Sequence, residues 1–138
     1  IIYSGWVIRI YKIRTEVKYG ENSRIDILLE EKGRNIFIEV KNCTLMRDGT
    51  AYFPDAVTLR GLKHLHELQR EVKSGNRAAM FYLIQRIDVS HFEPARDIDP
   101  AYSEELYRAY ENGVEIVAYD VKISTEKISI NKKIPVKL

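Results

Sequence analysis

The stretch Arg24-Ile25-Asp26-Ile27-Leu28-Leu29-Glu30-Glu31-Lys32-Gly33-Arg34-Asn35-Ile36-Phe37-Ile38-Glu39-Val40-Lys41 decides how the rest of the chain is read. Apolar residues alternate at Ile25, Ile27 and Leu29, stop at Lys32-Gly33, and resume at Ile36, Ile38 and Val40. A two-residue period on either side of a glycine-containing turn is the pattern of a β-hairpin. With Lys32-Gly33 as a two-residue turn, Glu31 faces Arg34 and every residue further out acquires one defined partner. Ile25 then faces Val40, Ile27 faces Ile38 and Leu29 faces Ile36, giving one wholly apolar face suited to the core. The other face sets Asp26 opposite Glu39 and Arg24 opposite Lys41. Directly opposed side chains have Cβ atoms about 5 Å apart, so two carboxylates are forced together.

Like charges at that distance repel unless one carboxylate takes a proton or a cation sits between them. Oxygen ligands of this kind suit Mg²⁺ or Mn²⁺. Strand periodicity puts Lys41 on the same face as Glu39, where an ammonium orients a metal-bound water or stabilises charge on phosphorus. That is phosphodiester hydrolysis chemistry. A retaining glycosidase also wants two carboxylates about 5 Å apart but has no evident need for the lysine. Glu-x-Lys alone occurs on any solvated amphipathic strand; the specificity lies in an aspartate that the hairpin brings into register with it.

Ile1 to Ile13 fits a helical stripe (Ile2, Trp6, Ile10, Ile13) about as well as an extended segment. Gly20-Glu21-Asn22-Ser23 is a turn cluster. After the hairpin a third short strand is expected over roughly residues 45–53, weakest at Arg47-Asp48-Gly49. Leu59, Leu62, Leu65, Leu68 and Val72 keep helical spacing, with Asp55 or Thr58 as cap and Ser74-Gly75-Asn76 as the end. Residues 78–85 form an apolar run, as in a strand buried on both faces. Residues 88–99 read as a loop, Asp99-Pro100 as a helix start, and Asn112-Gly113 as its end. Strands over 114–123 and from Ile128 complete a mixed α/β sandwich around one central β-sheet flanked by helices.

The 138 residues, 45% of them apolar, support one domain rather than two. Basic and acidic residues are nearly balanced at 22 and 20, so a nucleic-acid surface has to be a local patch. The single cysteine, Cys43, excludes an intrachain disulfide framework and a cysteine zinc site within this chain. No apolar run reaches the ~20 residues of a membrane span, and no signal peptide is visible. The expected setting is soluble and cytoplasmic, without a membrane partner. The chain starts at Ile1 without methionine, as part of a longer protein would. Nothing in the sequence decides the oligomeric state, and a homodimer is compatible with it.

Glu16-Val17-Lys18-Tyr19-Gly20, Asn22-Ser23-Arg24-Ile25-Asp26, Glu39-Val40-Lys41 and Tyr52-Phe53-Pro54-Asp55-Ala56-Val57-Thr58-x-Arg60-Gly61-x-Lys63-His64-Leu65-x-Glu67-Leu68 together resemble the sugar fermentation stimulation protein family. The resemblance runs from about Ile10 to the C-terminal Pro135-Val136-Lys137-Leu138. It implies a single domain with the core of the restriction-endonuclease-like PD-(D/E)xK nuclease superfamily over residues 1–138, the family's N-terminal OB-like domain being absent from this chain. It further implies DNA as partner and a link to regulation of sugar-utilisation genes. By the same resemblance Asp26 and Glu39 are metal ligands, Lys41 is the catalytic lysine and Glu16 an additional upstream acid. Pro54-Asp55 follows Glu39-x-Lys41 instead of preceding it, so Asp55 is not the superfamily's metal aspartate and reads as a helix cap.

Arg24, Arg60, Lys63 and His64 are the candidate DNA and phosphate contacts. Arg60 and His64 lie one turn apart near a helix N-terminus, where backbone N–H groups also favour phosphate. Lys63 shares a stripe with His66, Arg70 and Lys73 that reads first as a solvated helix face. Gln85 either contacts the scissile strand or ends the ladder, and Tyr102, Tyr107 and Tyr110 read as core or helix-surface aromatics. The functional expectation is a DNA-binding protein with a nuclease-like site for Mg²⁺ or Mn²⁺; the alternative is an active Mg²⁺-dependent DNA endo- or exonuclease.

Overall fold

The computed structural model describes residues 12–138, together with the backbone of 2–3 and 6–7. In chain order it contains β1 (Ile2–Tyr3), β2 (Trp6–Val7), β3 (Lys12–Tyr19), β4 (Ser23–Glu31), β5 (Arg34–Cys43), β6 (Leu45–Arg47) and β7 (Thr50–Phe53). Then follow α1 (Leu59–Lys73), β8 (Arg77–Ile84), β9 (His91–Pro94), α2 (Pro100–Glu111), β10 (Glu115–Ile123) and β11 (Ile128–Lys133). Of the stretch Ile1 to Ile13, the described residues are extended: β1 pairs with β2, and Lys12 opens β3. Ile10, the one other residue of the proposed helical stripe, lies outside the described ones.

Six strands form the central sheet in the order β11-β10-β8-β5-β4-β3. β5, β8 and β10 run parallel, while β3, β4 and β11 attach antiparallel. Each parallel step returns through a helix, α1 between β5 and β8 and α2 between β8 and β10, because parallel neighbours need a crossover. Leu65 and Leu68 of α1 and Tyr102 and Leu106 of α2 join Leu28, Phe37, Met80, Tyr82 and Ala118 of the sheet in one core. Tyr82 and Tyr102 share a hydrogen bond of 2.6 Å between their hydroxyls inside it. No helix among the described residues is long and apolar enough to cross a membrane.

The helix starts are tied together. Thr58 caps α1 by accepting from the Gly61 N–H at 2.9 Å, and Asp99 caps α2 by accepting from the Tyr102 N–H at 3.1 Å. The second Asp99 oxygen accepts from the Thr58 N–H at 2.9 Å, so one buried carboxylate sets both N-termini. Asp55 is exposed and is not the cap.

Three expectations are corrected. Residues 45–53 make two strands, β6 and β7, and the presumed loop of 88–99 contains β9. β9 pairs parallel with β7, so these strands form a second, three-stranded sheet. Phe92 and Pro94 alternate as its buried positions, a pattern too short to stand out among polar neighbours. Finally, the main core lies on the sheet face opposite to the one expected. Leu29, Ile36 and Ile38 form a smaller cluster with Ala79, while the helices cover the face bearing Leu28, Phe37 and Glu39. Parallel strands buried on both faces give no single dry side to read.

Candidate functional site

The hairpin register is the expected one from Glu31↔Arg34 to Ile27↔Ile38. Beyond Ile27 the ladder stops. The Val40 N–H donates instead to Asp26 Oδ2 at 2.8 Å, so a carboxylate takes the place of a rung. On the other side, β3 pairs with β4 at Thr15↔Ile27 and Val17↔Ile25 but makes no rung at Glu16, whose φ is +54°. Asp26 thus lies at an irregularity on both of its neighbours, the kind of defect that re-aims a side chain.

Crossing this defect reverses the faces of β4. Ile25 joins the main core instead of the Ile27–Leu29 cluster, and Ser23 Oγ donates to Glu67 Oε1 of α1 at 2.8 Å. Ile25 is therefore not the partner of Val40. Arg24, between two residues that face α1, points to the other side, where its guanidinium donates to the Glu16 carbonyl at 3.2 Å. It does not stand opposite Lys41.

Glu39 and Lys41 project from β5 under α1. Glu39 is 3% exposed and Lys41 is largely buried. His64, also 3% exposed, closes a triangle with them. Its Nδ1 lies 2.9 Å from Lys41 Nζ and 3.3 Å from Glu39 Oε1, and the lysine and glutamate atoms are 3.7 Å apart. Burial, then the charge on Asp26, pushes the Glu39 carboxyl up to about 8, against the opposing pull of Lys41. Burial, then Lys41 and Arg60, brings the His64 imidazole down to about 4. Burial also lowers Lys41, against the pull of Glu39 and Asp26.

Burial thus favours the uncharged forms of Glu39 and His64, and a proton on Glu39 relieves its repulsion with the neighbouring carboxylate. Glu39 Oε2 is buried with no hydrogen-bond partner. A buried oxygen of this kind beside a second carboxylate suits a hard cation, which replaces the proton. Among the described residues no group of three or more His, Cys, Asp and Glu side chains is arranged to hold a metal.

Of the remaining candidates, Arg60 is exposed, and its charge acts on Glu39, Lys41 and His64. Lys63 Nζ lies 3.8 Å from Glu67 Oε1. Glu16 is exposed on the edge strand. His64 is turned inward to Lys41 rather than outward to solvent. Sequence reasoning passed over the adjoining buried group of Tyr19, Ser23 and Glu67. Glu67 is 1% exposed, and its Oε2 and the Tyr19 hydroxyl have no hydrogen-bond partner. Burial and the charges of Glu39, Glu67 and Asp26 raise the Tyr19 phenol. The available signal was Glu67 three residues after His64, a helical spacing that puts both on one face.

Comparison with known proteins agrees with this arrangement of strands and helices. The profile of the sugar fermentation stimulation protein RE domain matches residues 3–127. A sugar fermentation stimulation protein homolog of Geotalea daltonii is 50% identical over 126 residues, covering 91% of this chain and 54% of that protein. A homolog of Shewanella loihica is likewise 50% identical, covering 92% of this chain and 55% of its own length. The solved structure of Pyrococcus furiosus SfsA in complex with Ca²⁺ superposes with a TM-score of 0.84 at 34% identity, over 94% of this chain and 55% of that one. The chain spans about half the length of these relatives. On its sequence and on its mixed α/β fold alike, it belongs to the sugar fermentation stimulation protein family.

Proposed function

We propose that this domain is a DNA-binding module of the PD-(D/E)xK nuclease type that holds a divalent cation, Mg²⁺ or Mn²⁺, between Asp26 and Glu39, in a protein linked to sugar utilisation. The observation that carries the reading is that Asp26, at a break in the hairpin, lies close enough to raise the Glu39 carboxyl, which has a buried oxygen lacking a partner and stands beside a lysine. The bound Ca²⁺ in the Pyrococcus furiosus relative supports it, since Ca²⁺ and Mg²⁺ both prefer oxygen ligands. A bound cation would bring phosphate oxygens to this face and polarise them. The chain's own groups supply the rest: Asp26 and Glu39 hold the charge, Lys41 presents N–H donors, and Arg60 adds an exposed positive charge near the helix start.

The test is calorimetric titration of Mg²⁺ and Mn²⁺ into the intact protein, beside a DNA gel shift across a salt series. Binding in the wild type that is lost in Glu39→Gln, with salt-dependent DNA affinity, supports the proposal; no metal binding and no DNA affinity sinks it.

The second reading, hydrolysis, is favoured by one specific feature, the placement of the Lys41 ammonium beside Glu39. In that reading Lys41 orients the attacking water or stabilises charge on phosphorus. Divalent-dependent cleavage that disappears in Lys41→Ala supports it, and cleavage that persists in that variant counts against the mechanism.

A further inference from the structure

We infer that His64 is a positioning residue for Lys41, which it holds as a neutral imidazole accepting through Nδ1. The inference rests on the proposed role of Lys41 as the group facing phosphate. Nδ1 is 2.9 Å from Lys41 Nζ. A charged ammonium has three donors and no acceptor, so a hydrogen bond between them requires Nδ1 to carry the lone pair and the proton to reside on Nε2. Glu39 Oε1, 3.7 Å from Nζ and 3.3 Å from Nδ1, lies on the same side of the ammonium.

This arrangement restricts the lysine in a way no single contact does. A lysine head on a four-carbon stem rotates freely when exposed. Here one N–H is engaged by the imidazole and the carboxyl lies on the same side, so the ammonium is held at that side and its other donors face away from His64. Those donors are the ones available to a phosphoryl oxygen or a water. His64 itself is 3% exposed on the buried side of α1, so it reaches phosphate only through Lys41. Its neighbours within the helix, Lys63 and Glu67, engage each other. Holding a reactive group by a neighbour whose own rotamer is locked by burial is how such sites gain precision.

The tautomer is measured first, on the wild-type protein and without any substitution. In ¹⁵N-labelled intact protein without metal, long-range ¹H–¹⁵N correlations of His64 should show Nε2–H and an unprotonated Nδ1 at neutral pH. The Nδ1–H tautomer would overturn the inference. Next, Lys41 Nζ is observed in lysine-labelled protein. Its ammonium protons should exchange slowly enough to be seen at low temperature, and the signal should vanish in His64→Leu. Asn places its side-chain oxygen near the position of Nδ1, so His64→Asn should restore the signal, whereas His64→Gln, whose acceptor reaches the Nε2 position, should not. A Lys41 signal unchanged in His64→Leu, or restored equally by Gln and Asn, would defeat the inference. These signals do not depend on DNA or metal, so failure of the proposed function leaves the tautomer and the Lys41 signal intact, while failure here leaves metal and DNA binding to stand alone.

Discussion

At the scale of single residues, the site is defined by where protons reside. Between Glu39's ordinary 4.5 and about 8, the folded chain keeps a proton that the unfolded chain has lost, so stability falls as pH rises through this window. His64 acts in the opposite sense. Between 6.5 and about 4 the unfolded chain is protonated at this position and the folded chain is not, so stability is lost as pH falls. The two effects oppose each other below 6.5, which leaves pH 6.5 to 8 as the window where His64 no longer opposes Glu39. Urea unfolding at these two pH values in chelator should show the wild type less stable at the higher pH and Glu39→Gln nearly flat; an equal decline in both would refute the assignment. Asp26 offers a second separation. Asp26→Ala leaves the Val40 N–H without its acceptor and should cost about 1–3 kcal/mol, while Asp26→Asn keeps an oxygen for that bond and should lose much less stability. Both variants remove the charge, so metal titration should fail in each.

At the scale of elements, the edge of the sheet and the start of α1 matter most. Gly20, at φ +55°, ends the edge strand against Glu67, and a Cβ there would lie 2.8 Å from Glu67 Cδ. Gly20→Ala therefore combines left-handed backbone strain with displacement of a buried carboxylate. It should destabilise by about 1–3 kcal/mol, checked by thermal or urea unfolding. Thr58→Ala removes the α1 cap and should cost about 1 kcal/mol. Because α1 also carries His64 and Arg60, a loosened helix start should weaken the site more than the overall stability loss suggests; unaltered metal affinity in Thr58→Ala would argue that the site is held by the strands alone. The elements also show how legible the chain was. The hairpin turn, both helices and the cap at Asp99 could be read directly, and the α1 cap narrows to Asp55 or Thr58, because each depends on residues within a few positions of one another. β9 could not, since its partner β7 lies some forty residues away and four residues carry too little periodicity to stand out.

At the scale of the whole molecule, the proposed cation between Asp26 and Glu39 would tie β4 to β5 within the central sheet. Anything that binds the folded state alone stabilises it, by about 2.7 kcal/mol at a hundredfold excess over Kd. Saturating Mg²⁺ or Mn²⁺ should therefore raise the thermal midpoint, and neither ion should shift it in Glu39→Ala; a shift that survives in the variant would place the cation elsewhere. The turn at Lys32-Gly33 and the register from Glu31↔Arg34 to Ile27↔Ile38 are encoded locally, because a two-residue turn leaves no freedom in which of the nearby residues face each other. The rest depends on contacts between distant elements. The reversal of β4 at Asp26 sends Ile25 and Ser23 toward α1 and Arg24 away from it, and follows from an irregularity shared with Glu16 on a third strand. The meeting of His64 with Lys41 depends on the crossover that lays α1 over β5, and no spacing along the chain encodes a contact between a strand and a helix that pack only after the core has formed.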